Sequence, residues 1–233
     1  MIVFNEISLE SVANVKIEDI RVSPIKYSPV VRARPIKFGA DFVRMTGAER
    51  TVSITFAILD ENKVTREEAI RNISQWARTD AEFKLELPTE PNRYLTCVCT
   101  EKPEPSTRQW WESKLRLVFT CYNDPYWNSK AEKSVACGTQ FNVLGDAPPL
   151  MRIERTVSGS AASNQSYGLN GNTITFSSIP VGDMVIDLDK QTAVVGSTSI
   201  MQYYNINSKF LVPKTGVQTV TGTGTVKYRE RWQ

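Results

Sequence analysis

Every second residue from Val52 to Ile58 is large and apolar (Val52, Ile54, Phe56, Ile58), and the residues between them are small or polar. A period of two puts all four on one face of an extended strand, so the stretch covers a core on one side and meets water on the other. The same alternation recurs in Phe83, Leu85 and Leu87, in Leu95, Cys97 and Cys99, and in Leu115, Leu117, Phe119 and Cys121. Four such strands commit the first half to a sheet. Only one helix is expected beside them, in "NKVTREEAIRNISQWARTD". There Thr65 and Glu68 have the spacing of a capping box, and Ala69, Ile70, Ile73, Trp76 and Ala77 form a helical stripe. Trp76 is the expected anchor of that helix on the sheet.

The stretch "CYNDPYW", Cys121 to Trp127, ends the fourth strand. Proline fixes φ, lacks an amide donor and pushes the residue before it out of the helical region, so Asp124-Pro125 is a stop signal. Composition changes there as well. Up to Ser129 the chain carries 18 Lys and Arg against 18 Asp and Glu; from Lys130 onward it carries 10 against 7, which supplies the whole net charge of +3. Beyond this point Ser, Thr, Asn and Gly dominate, with short apolar alternations at Met151 and Ile153, Ile174 and Phe176, Met184 to Leu188, Ala193 and Val195, and Val217 to Val226. Turn signals such as Asn170-Gly171 and Val181-Gly182-Asp183 separate them, which is the pattern of a β-sandwich. "TGTGT" precedes no helix and is expected to alternate along a strand. Two domains follow, residues 1–129 and 130–233, with Asp124, Pro125, Tyr126 and Trp127 as the boundary motif whose aromatics anchor the linker.

Several function classes drop out. The 233 residues contain no histidine, which removes His-dependent triads, Cys-His dyads and His-ligated zinc together. Neither a P-loop nor a dinucleotide-type glycine pattern is present. Cys97, Cys99, Cys121 and Cys137 lack the C-x2-C spacing of structural zinc sites, and Cys97 and Cys99 share a strand face as small buried thiols would. No metal or cofactor is expected. Asp187 and Asp189 in "VIDLDKQT" fit the run into a hairpin turn better than a catalytic carboxylate pair, so no enzyme is expected. No apolar run approaches the ~18 residues a membrane span requires. The start "MIVFNEISLE" lacks a basic region ahead of an apolar one, so a soluble protein made in a cytosol is expected.

Two stretches point to interfaces. From Arg21 to Gly39 there are five cations (Arg21, Lys26, Arg32, Arg34, Lys37), no acid, and prolines at 24, 29 and 35. Prolines confine such a segment to sheet edges or extended loops. It is an arm that crosses to a neighbouring subunit, a basic surface near nucleic acid, or a solvated edge guarded by charge. In "RQWWE", Trp110 and Trp111 are adjacent, so on a strand only one faces the core and the other belongs to an interface or the surface.

In order and spacing, several of these motifs resemble the distal tail proteins of long-tailed, non-contractile phages. They are "ERTVSITF", the Trp76 helix, "RYLTCVCTEKPE" and Asp-Pro-Tyr in the first half. In the second half they are "LGDAPPLMRIE" with Gly145, Pro148 and Pro149, "GDMVIDLDKQTAVV", "NSKFLVPKTGVQTVT" and "VKYRERW". The resemblance covers nearly the whole chain. It implies a mainly β protein: a tail-tube-like β-barrel or sandwich with one flanking α-helix, followed by a galectin-like β-sandwich. It also implies a homohexameric ring joining tail tube to tail tip, with a channel for DNA in transit and no membrane insertion. Arg32, Arg34, Lys37, Trp110 and Trp111 would then lie at the subunit seam or the lumen. Expected partners are the tail-tube protein, the tail-tip or tail-associated protein, and receptor-binding or baseplate proteins, in a virion assembled in the bacterial cytoplasm. Longer relatives carry inserted sugar-binding domains, so a minimal adaptor is expected. The alternative is a lectin-like carbohydrate-binding module, suggested by the Ser/Thr/Asn-rich second half and Trp127.

Overall fold

The computed structural model describes residues 1–33, 40–59, 63–101 and 114–233. The chain divides into two units, Met1–Trp127 together with Gln233, and Asn128–Trp232. Both are built mainly of strands.

The first unit is organised by the long strand Ala40–Ile58. Its second half is paired on both sides, by Val15–Val22 with Ile20 opposite Ile54, and by Lys114–Cys121 with Leu117 opposite Ile54. The antiparallel ladder continues through Arg93–Glu101, Phe83–Glu86, Val3–Phe4 and Ile7–Ser8. The first half of the long strand follows a different course. It pairs with Lys26–Ala33, from Lys26 opposite Glu49 to Ala33 opposite Ala40, and so forms a long antiparallel pair.

The period-two apolar residues form the core side. Val52, Ile54, Phe56, Leu85, Leu95, Cys97, Leu117, Phe119 and Cys121 are all completely buried. The helix Lys63–Trp76 lays Ala69, Ile73 and Trp76 on this face, followed by Ala77 just past its end. The Trp76 ring meets Phe4 edge-on at 5.7 Å and Phe119 at 6.2 Å, and its indole N–H donates to the Ile7 carbonyl at 3.1 Å. A buried indole needs such an acceptor, because an unpaired N–H in the core costs free energy. One expectation is corrected. The helix already runs from Lys63, so Thr65 lies inside it and does not cap it. A second, four-residue helix, Leu9–Val12, had no periodicity to announce it.

The second unit is a β-sandwich. One sheet runs, in spatial order, Thr198–Ser199, Thr192–Val195, Gly182–Asp187, Ala147–Val157, Thr225–Trp232 and Lys133–Ala136. Against it lie the hairpin of Ala162–Leu169 with Asn172–Ile179 and the pair Gln140–Val143 with Gly216–Thr219. Met151, Ile153, Tyr167, Ile174, Phe176, Ile186 and Val226 belong to the single buried cluster between them. Pro148 and Pro149 fall where the register of their strand shifts, between Ala147 and Leu150, as expected for residues with no amide to give the ladder. Asn170 and Gly171 both have positive φ, 52° and 80°, and turn the two-residue hairpin the sequence signalled. The "TGTGT" stretch, Thr221 to Thr225, is not a continuous strand. Gly222 and Gly224 take φ of 120° and 130°, and a Cβ on Gly222 would strike the ring of Tyr167, so the chain bends there between Gly216–Thr219 and Thr225–Trp232.

Ile54 is paired on both sides and fully buried, so the first unit has little room to collapse around a lost side chain. An Ile54→Ala variant is expected to lose about 2–5 kcal/mol. Urea unfolding should show this as a lower midpoint at unchanged slope, and a loss under about 1 kcal/mol would contradict the central position of this strand.

Candidate assembly surface

The side of the first unit's sheet opposite the core carries hydroxyls and charges. Along it the register aligns Arg21 with Ser53 and Asp19 with Thr55, and across the next ladder Thr55 with Arg116. A shallow groove of about 380 Å³ runs between them, lined by Asp19, Arg21, Val22, Ser23, Thr51, Ser53, Thr55 and Arg116. Two contacts fix its cations. Arg21 Nε donates to Asp19 Oδ2 at 2.5 Å, and Arg116 Nε donates to the Ser53 hydroxyl at 2.7 Å. The Thr100 and Thr120 hydroxyls add a contact at 3.0 Å on the same sheet. Arg21 keeps most of its side chain in water, so its ion pair orients the guanidinium more than it stabilises the fold. Period-two alternation predicts that these positions face water; it does not predict that Arg21 meets the Asp19 carboxylate and Arg116 the Ser53 hydroxyl.

Of the residues singled out in the sequence, Arg32 lies in the strand Lys26–Ala33, paired in register with Asp41 in the hairpin. Arg34, Lys37, Trp110 and Trp111 lie outside the described residues. At the boundary motif, Asp124 Oδ1 accepts the Tyr126 amide at 3.3 Å, the local turn expected of an Asp ahead of Pro125. Tyr126 is half-buried, and Trp127 is buried and begins the strand Trp127–Ser129, at the division between the two units. The preceding loop is pinned by Glu82, whose carboxylate accepts the Tyr122 and Asn123 amides at 2.8 and 3.1 Å.

The second unit carries a lattice of ion pairs that composition alone did not reveal. Arg152 gives both terminal nitrogens to Glu132 at 2.8 and 2.9 Å and its Nε to Glu154 at 2.6 Å. Lys227, opposite Arg152 on the next strand, reaches the other Glu154 oxygen at 2.7 Å. Arg229 donates to the carbonyls of Ser129 and Lys130 at 3.2 and 2.5 Å. Hydrogen bonds from Lys227 and then Arg152 hold the Glu154 carboxyl below the usual carboxylate range. Hydrogen bonding to Glu154 raises Arg152 further, against the opposing effect of burial. Nearby, Glu230 is buried and takes Lys133 at 2.7 Å and the Leu144 amide at 2.9 Å. Asp187 is used as a turn residue: its Oδ1 accepts the amides of Asp189 and Lys190, each at 3.0 Å. Among the described residues no group of three or more His, Cys, Asp or Glu side chains could hold a metal ion. No described helix is long and apolar enough to cross a membrane.

No protein-family model matches the sequence, and no curated protein does. Solved structures do match. The crystal structure of the Dit protein of phage SPP1 aligns over 100% of this chain and 98% of its own, with a TM-score of 0.77 at 16% sequence identity. The fold is that of a phage distal tail protein. Chains of the phage P2 baseplate in its activated conformation, with Ca and with Sr, match at TM-scores of 0.47 and 0.48 and identities of 9% and 8%, over 96% of this chain and 92% of each of theirs. The two-unit alignment agrees with the fold class expected from the sequence, mainly β with a β-sandwich second half.

The lowered Glu154 gives the second unit an acid-dependent stability. Its folded carboxyl binds a proton less readily than the unfolded one, whose value is near 4.3. The contribution is therefore complete above that value and disappears as pH falls through the lower folded value. Melting temperature should drop as pH falls below the unfolded value of about 4.3, with a shallower slope in Glu154→Gln. Identical slopes for the two proteins would show that this lattice does not carry the acid sensitivity.

Proposed function

We propose that this chain is a structural component of a phage tail: a distal tail protein whose first unit closes into a ring between tail tube and tail tip and whose second unit serves as the attachment platform. The observation that carries the reading is the full-length likeness to the SPP1 Dit protein, itself described as a paradigm of the hub adsorption apparatus in phages infecting Gram-positive bacteria. The geometry of the first unit supports it. Among the described residues, Val15–Val22 and Lys26–Ala33 each pair only with the long strand, which is the arrangement a neighbouring copy could extend. A heterologous edge-to-edge contact repeated by rotation closes into a ring, and six copies is the closure we propose. Arg32, Arg34, Lys37, Trp110 and Trp111 are assigned to the seam or the lumen of that ring. Tail-tube, tail-tip and receptor-binding or baseplate proteins are the partners that follow.

DNA in transit needs a wall that is wetted and does not hold it. Duplex DNA carries one charge per ~1.7 Å, and a wall rich in unpaired cations would bind it through counterion release. The Asp19, Arg21, Thr51, Ser53, Thr55 and Arg116 face suits this role, because it presents hydroxyls with one of its two cations already paired. Equal numbers of acids and bases up to Ser129 fit the same requirement.

Light-scattering mass of the purified chain, alone and with tail-tube protein, tests the ring. A closed assembly of six 26.2 kDa chains with a central hole by electron microscopy is the expected result. A strict monomer at high concentration under both conditions counts against it. In assembled particles, reversing Arg21 and Arg116 to Glu should leave the ring intact and slow DNA ejection; loss of the ring would assign this face to the seam instead.

A further inference from the structure

Cys97 and Cys121 are both completely buried, on the neighbouring antiparallel strands Arg93–Glu101 and Lys114–Cys121. The register between these strands pairs Cys99 with Phe119 and Val98 with Thr120. Extended by one residue beyond Val98 and Thr120, that register would set Cys97 opposite Cys121, on the side that carries the core residues Leu95, Leu117 and Phe119. Both thiols lie in the same buried core of the first unit. Residues directly opposite on such a ladder have Cβ atoms about 4.5–5.5 Å apart, and a disulfide asks for about 3.5–4.5 Å, so a small approach is enough to close the bond.

The other two cysteines are placed differently. Cys99 lies opposite Phe119 and its thiol donates to the Glu101 carbonyl at 3.3 Å, while Cys137 belongs to the second unit. All four are free thiols. We propose that Cys97 and Cys121 form a latent cross-strand disulfide site, closed by a small peroxide and joining two central strands of the first unit. The inference rests on the register of those strands and is independent of the tail reading.

The chemistry balances with one hydrogen peroxide. One cysteine thiolate takes an oxygen from the peroxide to become a sulfenic acid, and the first water leaves. The sulfur of the partner cysteine then displaces that hydroxyl, forming the S–S bond and releasing the second water. Two thiols lose two electrons and two protons, and the peroxide is reduced to two waters. Burial first, and then the neighbouring Cys121, push the Cys97 thiol up, so thiolate is scarce at neutral pH. The pair therefore persists as dithiol wherever thiols are kept reduced, and it closes slowly, faster as pH rises. The bond would enclose residues 97–121, and a closed loop of that length restricts the unfolded chain.

The test uses the full chain, treated with a few equivalents of hydrogen peroxide at pH 7 and pH 8.5, quenched, denatured, and mapped by non-reducing peptide mass spectrometry. The expected result is a fall from four titratable thiols to two and a Cys97–Cys121 linked peptide that forms faster at the higher pH. Melting temperature should rise by about 5–10 °C and return with dithiothreitol. Cys97→Ser should abolish the link and the peroxide-dependent rise. Because a buried serine can prevent folding, Cys137→Ser is the second variant, and it should keep both. Four surviving thiols, a link through Cys99 or Cys137, sulfinic acid without a link, or a linked protein that melts no higher would each overturn the proposal.

Discussion

A single strand sets the terms for the first unit. Ala40–Ile58 is long enough to serve two ladders, and its halves are used differently. The second half sits between Val15–Val22 and Lys114–Cys121, buries Val52, Ile54 and Phe56, and so fixes which face of the sheet is core. A slip of one residue there would turn every apolar side chain outward, so the register is strongly specified. The first half continues into the hairpin with Lys26–Ala33, and that hairpin inherits its direction from the buried half.

Edges are the consequence. A sheet that does not close on itself ends in strands with unanswered backbone donors and acceptors, which must be met by water or by another chain. Val15–Val22 carries Lys16, Glu18, Asp19 and Arg21 and a register shift between Ile17 and Asp19, while Lys26–Ala33 carries Pro29. Charges, bulges and prolines discourage indiscriminate pairing but still allow a neighbour whose pattern matches. An edge built this way suits defined assembly better than aggregation. The second unit is finished differently, with its polar sheet positions locked to one another through Glu132, Arg152, Glu154 and Lys227.

Much of this was legible because period two and turn chemistry are local. The alternations at Val52–Ile58, Phe83–Leu87, Leu95–Cys99 and Leu115–Cys121 each fall on an observed strand, and Asn170-Gly171 makes the turn its two residue types favour. What local pattern cannot encode is how far a strand runs or who its neighbours are. Nothing in the residues from Ala40 to Arg50 announces that the Val52 strand begins so much earlier, since that half is ordered by pairing with Lys26–Ala33. "TGTGT" fails as a continuous strand for a tertiary reason, the ring of Tyr167 beside Gly222. The Arg116–Ser53 and Arg152–Glu132 contacts each join residues that only the fold brings together. Arg34 and Lys37, singled out by the proline-spaced, acid-free arm, and Trp110 and Trp111, singled out by their adjacency, fall outside the described residues.

Sharing a fold with the SPP1 Dit protein at 16% identity shows what a chain of this type has to keep. Most positions are free to change if alternation, turn residues and core volume survive, because cores accept substitution at constant volume and pattern. Function has no such freedom to hide in the core: it belongs to surfaces, and a common fold does not transmit it. In this chain the surface with the most specific chemistry is the hydroxyl and arginine face of the first unit, beside the strands Val15–Val22 and Lys26–Ala33, which among the described residues pair only with the long strand. Arg116 illustrates the point, since it sits on a strand whose inward residues Leu117 and Phe119 are wholly buried. The core fixes where Arg116 stands, and only the polar side of the strand is left to determine what it meets.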